Sequence, residues 1–186
     1  MKYIKSIAVL AILFFTTTAF VVNEKNSKPL ASKGGLEWHT DFEKARKIAT
    51  EENKPIFAFF TGSDWCGWCI RLQKNVFAKK DFIDWAEENV VLLELDFPKR
   101  TQLPEDLKQQ NYELASLLKV RGYPTVWFLN TTLNNDTKKV EIAPLGSTGY
   151  PSGAVAGKEE VKFIQDAKSS VCLILQRFSC FISYEF

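Results

Sequence analysis

Pro55-Ile56-Phe57-Ala58-Phe59-Phe60-Thr61-Gly62-Ser63-Asp64-Trp65-Cys66-Gly67-Trp68-Cys69 contains a change of backbone periodicity. Residues 55–60 are a short unbroken apolar run, the composition of a strand buried on both faces. Thr61-Gly62-Ser63-Asp64 has turn chemistry. From Gly67 onward Ile70, Leu72, Val76 and Phe77 recur at helical spacing among Arg71, Gln73 and Lys74. The stretch reads as strand, turn and helix, with two cysteines delivered at the junction. Cys66 and Cys69 are three residues apart, so their side chains fall on one face of the first helical turn, near enough to bond to each other. The unsatisfied N–H groups and positive dipole end of that helix favour an anion. They should lower the first thiol's pKa from about 8.5 toward ~7 or below. Cys66 is then the expected nucleophile and Cys69 the resolving thiol. Gly67 is expected to keep the turn tight and accessible, and Trp65 and Trp68 to flank the sulfurs with flat apolar surface for a polypeptide.

On the N-terminal side, residues 41–52 carry Phe42, Ala45, Ile48 and Ala49 at helical spacing, with Thr40 or Asp41 as the cap. On the C-terminal side a second helical piece is expected at 81–89 and a second buried strand at 90–95. A polar stretch follows at 97–110, then a helix at 112–119 and a third strand at 125–129 after Gly122-Tyr123-Pro124. Asn134-Asn135-Asp136 signals a turn, residues 138–144 an antiparallel partner, 146–157 a loop, and 158–168 a closing amphipathic helix. Helices inserted between buried strands predict an α/β fold: a central mixed sheet of about four to five strands, flanked by helices on both faces.

The constellation resembles the thioredoxin superfamily, specifically its exported bacterial branch, in which Trp-Cys-Gly-x-Cys follows Thr-Gly-Ser-Asp. The likeness covers residues 38–168. Its second carrier is Gly122-Tyr123-Pro124-Thr125, matching the family's loop before the third strand. The resemblance implies a thioredoxin fold, a cis Pro124 beside the sulfur pair, and Tyr123 backbone available to substrate. It also implies a protein-disulfide reductase with Cys66 and Cys69 as its redox-active pair and exported proteins as substrates, fed by a membrane electron donor. The chain departs from the family at two points. The dipeptide between the cysteines is Gly67-Trp68, not Gly-Pro, and the position six before the first cysteine, where the family has a buried acid, holds Phe60. That leaves the acceptor of the resolving thiol's proton open, with Asp64 and Glu94 as candidates.

The ends and the composition add context. Lys2 and Lys5 precede an apolar stretch, residues 7–22, that is shorter than the ~20 residues a spanning helix wants. Residues 1–22 are therefore expected to be a signal peptide cut near Ala19, or failing cleavage an N-terminal anchor. This predicts export, with the periplasm as the expected compartment, where disulfides persist. Residues 23–37 form a polar leader, 38–170 the domain, and 171–186 a mostly apolar tail that reads as an added element packing on the domain, a contact patch for a membrane or partner, or sequence without a selected role, the last slightly favoured. Cys172 and Cys180 can pair with each other or stay free. With 24 Lys and Arg against 22 Asp and Glu, charge supplies no ground for a nucleic-acid partner. Nothing in the sequence speaks to oligomeric state. The rival readings of Cys66 and Cys69 are a structural disulfide in a non-enzymatic peptide-binding module and half of a zinc site. The remaining Cys and His39 fit no common zinc spacing, so neither metal nor cofactor is expected, and His39 is read as a surface residue. Trp85 and Trp127 are expected in the core.

Overall fold

Every side chain of Ile56–Thr61 is fully buried, which places that strand at the centre of the molecule. The computed structural model describes residues 35–182 except 135, 137 and 138, with side chains as far as Val171. The expected signal segment, most of the polar leader, the Cys172 and Cys180 side chains and residues 183–186 lie outside that range. From the N-terminal side the elements are Trp38–His39 (β1), Phe42–Glu52 (α1), Ile56–Thr61 (β2), Gly67–Leu72 (α2) and a π-helical turn at Gln73–Phe77. Then come Lys80–Asn89 (α3), Val91–Asp96 (β3), Glu105–Leu117 (α4), Thr125–Leu133 (β4), Val140–Thr148 (β5) and Glu159–Ile182 (α5).

The five strands lie in the order β1-β3-β2-β4-β5. β1, β3 and β2 are parallel, while β4 runs antiparallel to β2 and β5 antiparallel to β4. This is the mixed α/β sheet expected. Alternation along β2 sends side chains to both faces. Phe57 and Phe59 join Trp38, Leu92, Val126 and Phe128 on one face, under Leu72, Phe77, Phe82 and Phe163 from α2, the π turn, α3 and α5. Ile56, Ala58 and Phe60 join Leu93, Leu95 and Leu129 on the other, under Ala45 and Ala49 of α1 and Leu114 of α4. Trp85 is buried, and Trp127 is half-buried against the second face.

α1 starts where expected: the Asp41 carboxylate accepts the Lys44 N–H at 2.8 Å. A second support comes from far along the chain. Gln110 accepts the Phe42 N–H at 2.8 Å and donates to the Thr40 carbonyl at 2.9 Å, tying α4 to the start of α1.

Four boundaries and the burial of one residue differ from the sequence reading. α4 begins at Glu105, not at 112: Pro104 precedes it, and Glu105 and Asp106 complement the dipole in its first turn. Apolar periodicity is missing there because the buried position is Asn111, which donates to the Asp96 carbonyl at 2.9 Å. β4 extends to Leu133, and residues 130–133 run past the first residue of β2 to pair with β5 as a two-stranded ribbon. β5 extends through Gly146, expected in a loop. A Cβ there would lie 2.9 Å from the Ser170 Cβ, so glycine lets α5 cross the strand closely. α5 continues to Ile182, across the expected domain boundary at 170, and Val171 packs against the first face. Finally, His39 is not a surface residue: it lies in β1 at 7% exposure, and burial pushes its imidazole pKa below the usual value, with nearby Glu37 opposing. A strand of two residues is too short to show an alternation.

Candidate active site

β2 ends at Thr61, and the chain turns through Gly62 before α2 begins at Gly67. Two backbone bonds close the turn: the N–H groups of Trp65 and Cys66 both reach the Gly62 carbonyl, at 3.2 and 2.8 Å. Cys66 is the N-cap residue of α2, with extended backbone and its Sγ accepting the Cys69 N–H at 3.2 Å. The two sulfurs are bonded to each other, with Cα atoms 5.2 Å apart. Cys69 is fully buried and Cys66 is 5% exposed. The opening at Cys66 is therefore much narrower than the accessible turn the sequence suggests.

The flanking tryptophans are both exposed, Trp65 at 39% and Trp68 at 54%, and each is held by a different segment. Trp65 donates its indole N–H to the Phe97 carbonyl at 2.8 Å, and the Lys99 ammonium sits 4.0 Å over its ring. The edge-on Tyr123 ring lies 5.8 Å away. Trp68 packs on Tyr150 at 5.1 Å with the Arg71 guanidinium 4.8 Å over it. The Tyr150 hydroxyl in turn accepts a hydrogen bond from Asn75 on the π turn.

Gly67 does not have the role expected of it. Its φ is not positive and a Cβ would meet nothing within 4 Å, so the turn does not require glycine there. The required glycine is Gly62, where a Cβ would lie 2.5 Å from Cε2 and Nε1 of the Trp65 indole. Gly62→Ala is expected to push the indole off the Phe97 carbonyl. The cost should be about 1–3 kcal/mol in denaturant unfolding, with a shifted tryptophan emission in the native state.

Tyr123-Pro124 is a cis peptide. Thr125, the next residue, pairs with Phe60 of β2, so Pro124 lies at the end of the sheet from which the cysteine turn leaves. The Tyr123 ring lies between Trp65 and Phe97, and burial raises its hydroxyl pKa.

Of the two candidate proton acceptors, Asp64 is a clamp. Its carboxylate accepts the N–H groups of Lys99, Arg100 and Thr101 at 2.9, 2.7 and 3.1 Å. Those bonds, the one from Lys99 first, hold its pKa below the usual carboxylate range, which makes it a poor base. Next to it, Ser63 donates N–H and hydroxyl to the Asp96 carboxylate at 2.8 and 2.5 Å. Glu94 is 1% exposed. Its neighbours Leu93 and Leu95 point to the second face, so Glu94 points to the face that carries the disulfide. The sequence reading placed Gly62 and Ser63 in the turn without giving either a specific contact, and it gave no site role to Phe97, Tyr150 or Asn75.

Among the described residues, no group of three or more His, Cys, Asp or Glu is placed to hold a metal ion. No described helix is long and apolar enough to cross a membrane.

A family profile described as a thioredoxin-like domain matches residues 42–134. The disulfide bond reductase DsbH of Chlamydia pneumoniae is 33% identical over 140 residues, covering 75% of this chain and 78% of DsbH. The thioredoxin-related protein DsbJ of the same organism is 27% identical over 157 residues, which cover 84% of this chain but 42% of DsbJ. Among solved structures, a DsbH oxidoreductase superposes with a TM-score of 0.59 at 31% identity, covering 74% of this chain and 85% of that one.

Proposed function

This chain belongs to the thioredoxin-like family, and from that premise we propose that it reduces disulfides in exported proteins through Cys66 and Cys69. The observation that carries the reading is the bonded pair at the start of α2, with Cys66 open to solvent at its edge and Cys69 closed off.

In the reduced protein, the Cys66 sulfur caps α2 where N–H groups converge, which favours its thiolate. Burial of Cys69 favours its thiol. The Cys66 thiolate attacks one sulfur of a substrate disulfide. A Cys66–substrate bond forms, the substrate bond breaks, and one substrate thiolate leaves and takes up a proton. Cys69 then loses its proton and attacks Sγ of Cys66, releasing the second substrate thiol. The protein is left with its Cys66–Cys69 disulfide, and two electrons have passed to the substrate. A dithiol donor must return those electrons, and a membrane electron carrier fits that role. The exposed faces of Trp65 and Trp68 border the point of attack. Tyr123 and Pro124 stand at the same end of the sheet and complete the substrate surface.

The reducing direction has support in the name of DsbH, a disulfide bond reductase. The lysines and apolar stretch of residues 1–22 support work outside the cytosol. The direction is tested by equilibrating the dithiol in glutathione buffers and by assaying insulin reduction. The expected potential lies near the thioredoxin value of about −270 mV, together with insulin turnover. A potential near about −120 mV would instead make the protein a disulfide donor.

A further inference from the structure

At the end of the sheet opposite the cysteine turn, the last turns of α1 and α3 and the start of β3 surround a cavity of about 440 Å³. Four carboxylates line it: Glu37 just before β1, Glu51 and Glu52 at the end of α1, and Glu87 near the end of α3. That placement is unfavourable for the helices themselves. The C-terminal end of a helix is the negative end of its dipole and favours cations, yet neither α1 nor α3 has a basic residue in its last turn. The Glu51 and Glu87 carboxylates have no hydrogen bond and no ion pair among the described residues.

The rim already holds one ammonium. Lys54 donates from Nζ to the Glu52 carboxylate at 2.6 Å and to the Glu87 carbonyl at 2.8 Å. His39, at 7% exposure, also lines the cavity, and neither of its ring nitrogens has a hydrogen bond among the described residues. The Glu37 carboxylate stands 3.6 Å from Nδ1, beyond hydrogen-bond reach. Burial lowers the His39 pKa against the opposing pull of Glu37, so at neutral pH the imidazole is uncharged and offers a lone pair to an N–H donor. A buried acceptor without a donor is costly, and a ligand that supplies one recovers that cost. The floor between these polar groups is apolar, with Leu36, Ile48 and Val90. Among the described residues the carboxylates do not converge as metal ligands. They suit an occupant whose positive charges are spaced along a chain.

We propose that this cavity binds an alkylammonium chain, with one ammonium donating to His39, others meeting Glu51 and Glu87, and the methylene segments lying on Leu36, Ile48 and Val90. That chemistry belongs to a linear polyamine and to successive lysine side chains of a polypeptide. Either ligand supplies the cations that the two helix ends lack. The site is separate from the dithiol, because β2 and β3 both run away from the cavity toward the cysteine turn.

The full chain has one histidine, so the ring signals of His39 in an NMR spectrum report on the cavity directly. They are followed while spermine or an acetylated tetralysine amide is added at constant ionic strength. At least one of the two is expected to shift the His39 signals to saturation. Saturation by spermine alone assigns the site to a free polyamine, and saturation by the peptide alone assigns it to a polypeptide. The double variant Glu51→Gln/Glu87→Gln is expected to weaken that binding about tenfold. Both residues are exposed, so the core is left intact. The double variant Glu105→Gln/Glu113→Gln removes the same charge from exposed positions on α4 and is expected to keep the affinity within about twofold of wild type. No saturable shift with either ligand overturns the proposal. Equal weakening by the two double variants also overturns it, since the attraction would then be one of overall charge.

Discussion

Cys66→Ser is expected to lower disulfide exchange by at least about a thousandfold, while Cys69→Ser completes the first step and stops. The asymmetry follows from position. Cys66, at the start of α2, keeps 5% exposure, and Cys69 is fully buried. A serine hydroxyl at position 66 does not ionise near neutral pH and cannot replace the thiolate. It is also a favoured N-cap, so α2 keeps its start and the loss is one of chemistry. Cys69→Ser leaves the nucleophile in place and removes the thiol that would free it. Substrate then stays bound to Cys66, as a higher-mass band on a non-reducing gel that disappears with reductant. Trapping by Cys66→Ser in place of Cys69→Ser would reverse the two assignments.

Phe57→Ala is expected to remove about 3–5 kcal/mol of stability, near the upper end for one residue. Phe57 is fully buried on the face that holds the disulfide. Its ring centroid lies between 5.5 and 6.1 Å from those of Trp38, Phe77, Phe82, Phe128 and Phe163. Five separate elements thus meet on one side chain: β1, the π turn, α3, β4 and α5. Because they come from distant parts of the chain and surround the ring, the space left by truncation cannot close by a single small shift. For a domain of this size the loss corresponds to a fall in Tm of roughly 6–20 °C. A denaturant midpoint that moves by less than the equivalent of about 1 kcal/mol would show that the ring packing does not hold these elements together.

Much of this architecture is legible in the residues, for a physical reason. A strand buried on both faces is mostly apolar, so the run at residues 56–60 announces the sheet centre, and the cysteine pair announces the helix start that follows. The elements that escaped notice use polar groups or glycine internally. α4 hides its first turns because its inward position is the amide of Asn111. The end of β5 looks like loop because Gly146 is there to admit α5. In the site, Cys66, Cys69 and the tryptophans are visible as a motif. The grip of Asp64 on three backbone groups of loop 97–104 is not, since it joins segments more than thirty residues apart. An acid beside a cysteine pair invites a reading as a base, and its backbone partners show it to be a brace.

The ribbon that β4 and β5 form beyond β2 gives the molecule a place to vary. β2 runs toward the cysteine turn and β4 runs away from it, so residues 130–133 project from the far end of the sheet. Insertions at that tip would lengthen a peripheral excursion without moving a sulfur, a tryptophan or the central strand. Each doubling of such a loop costs only about 0.6 kcal/mol of closure entropy. Relatives can therefore diverge in length there, and a reporter or affinity sequence can be spliced in, while the business end of the protein keeps its shape.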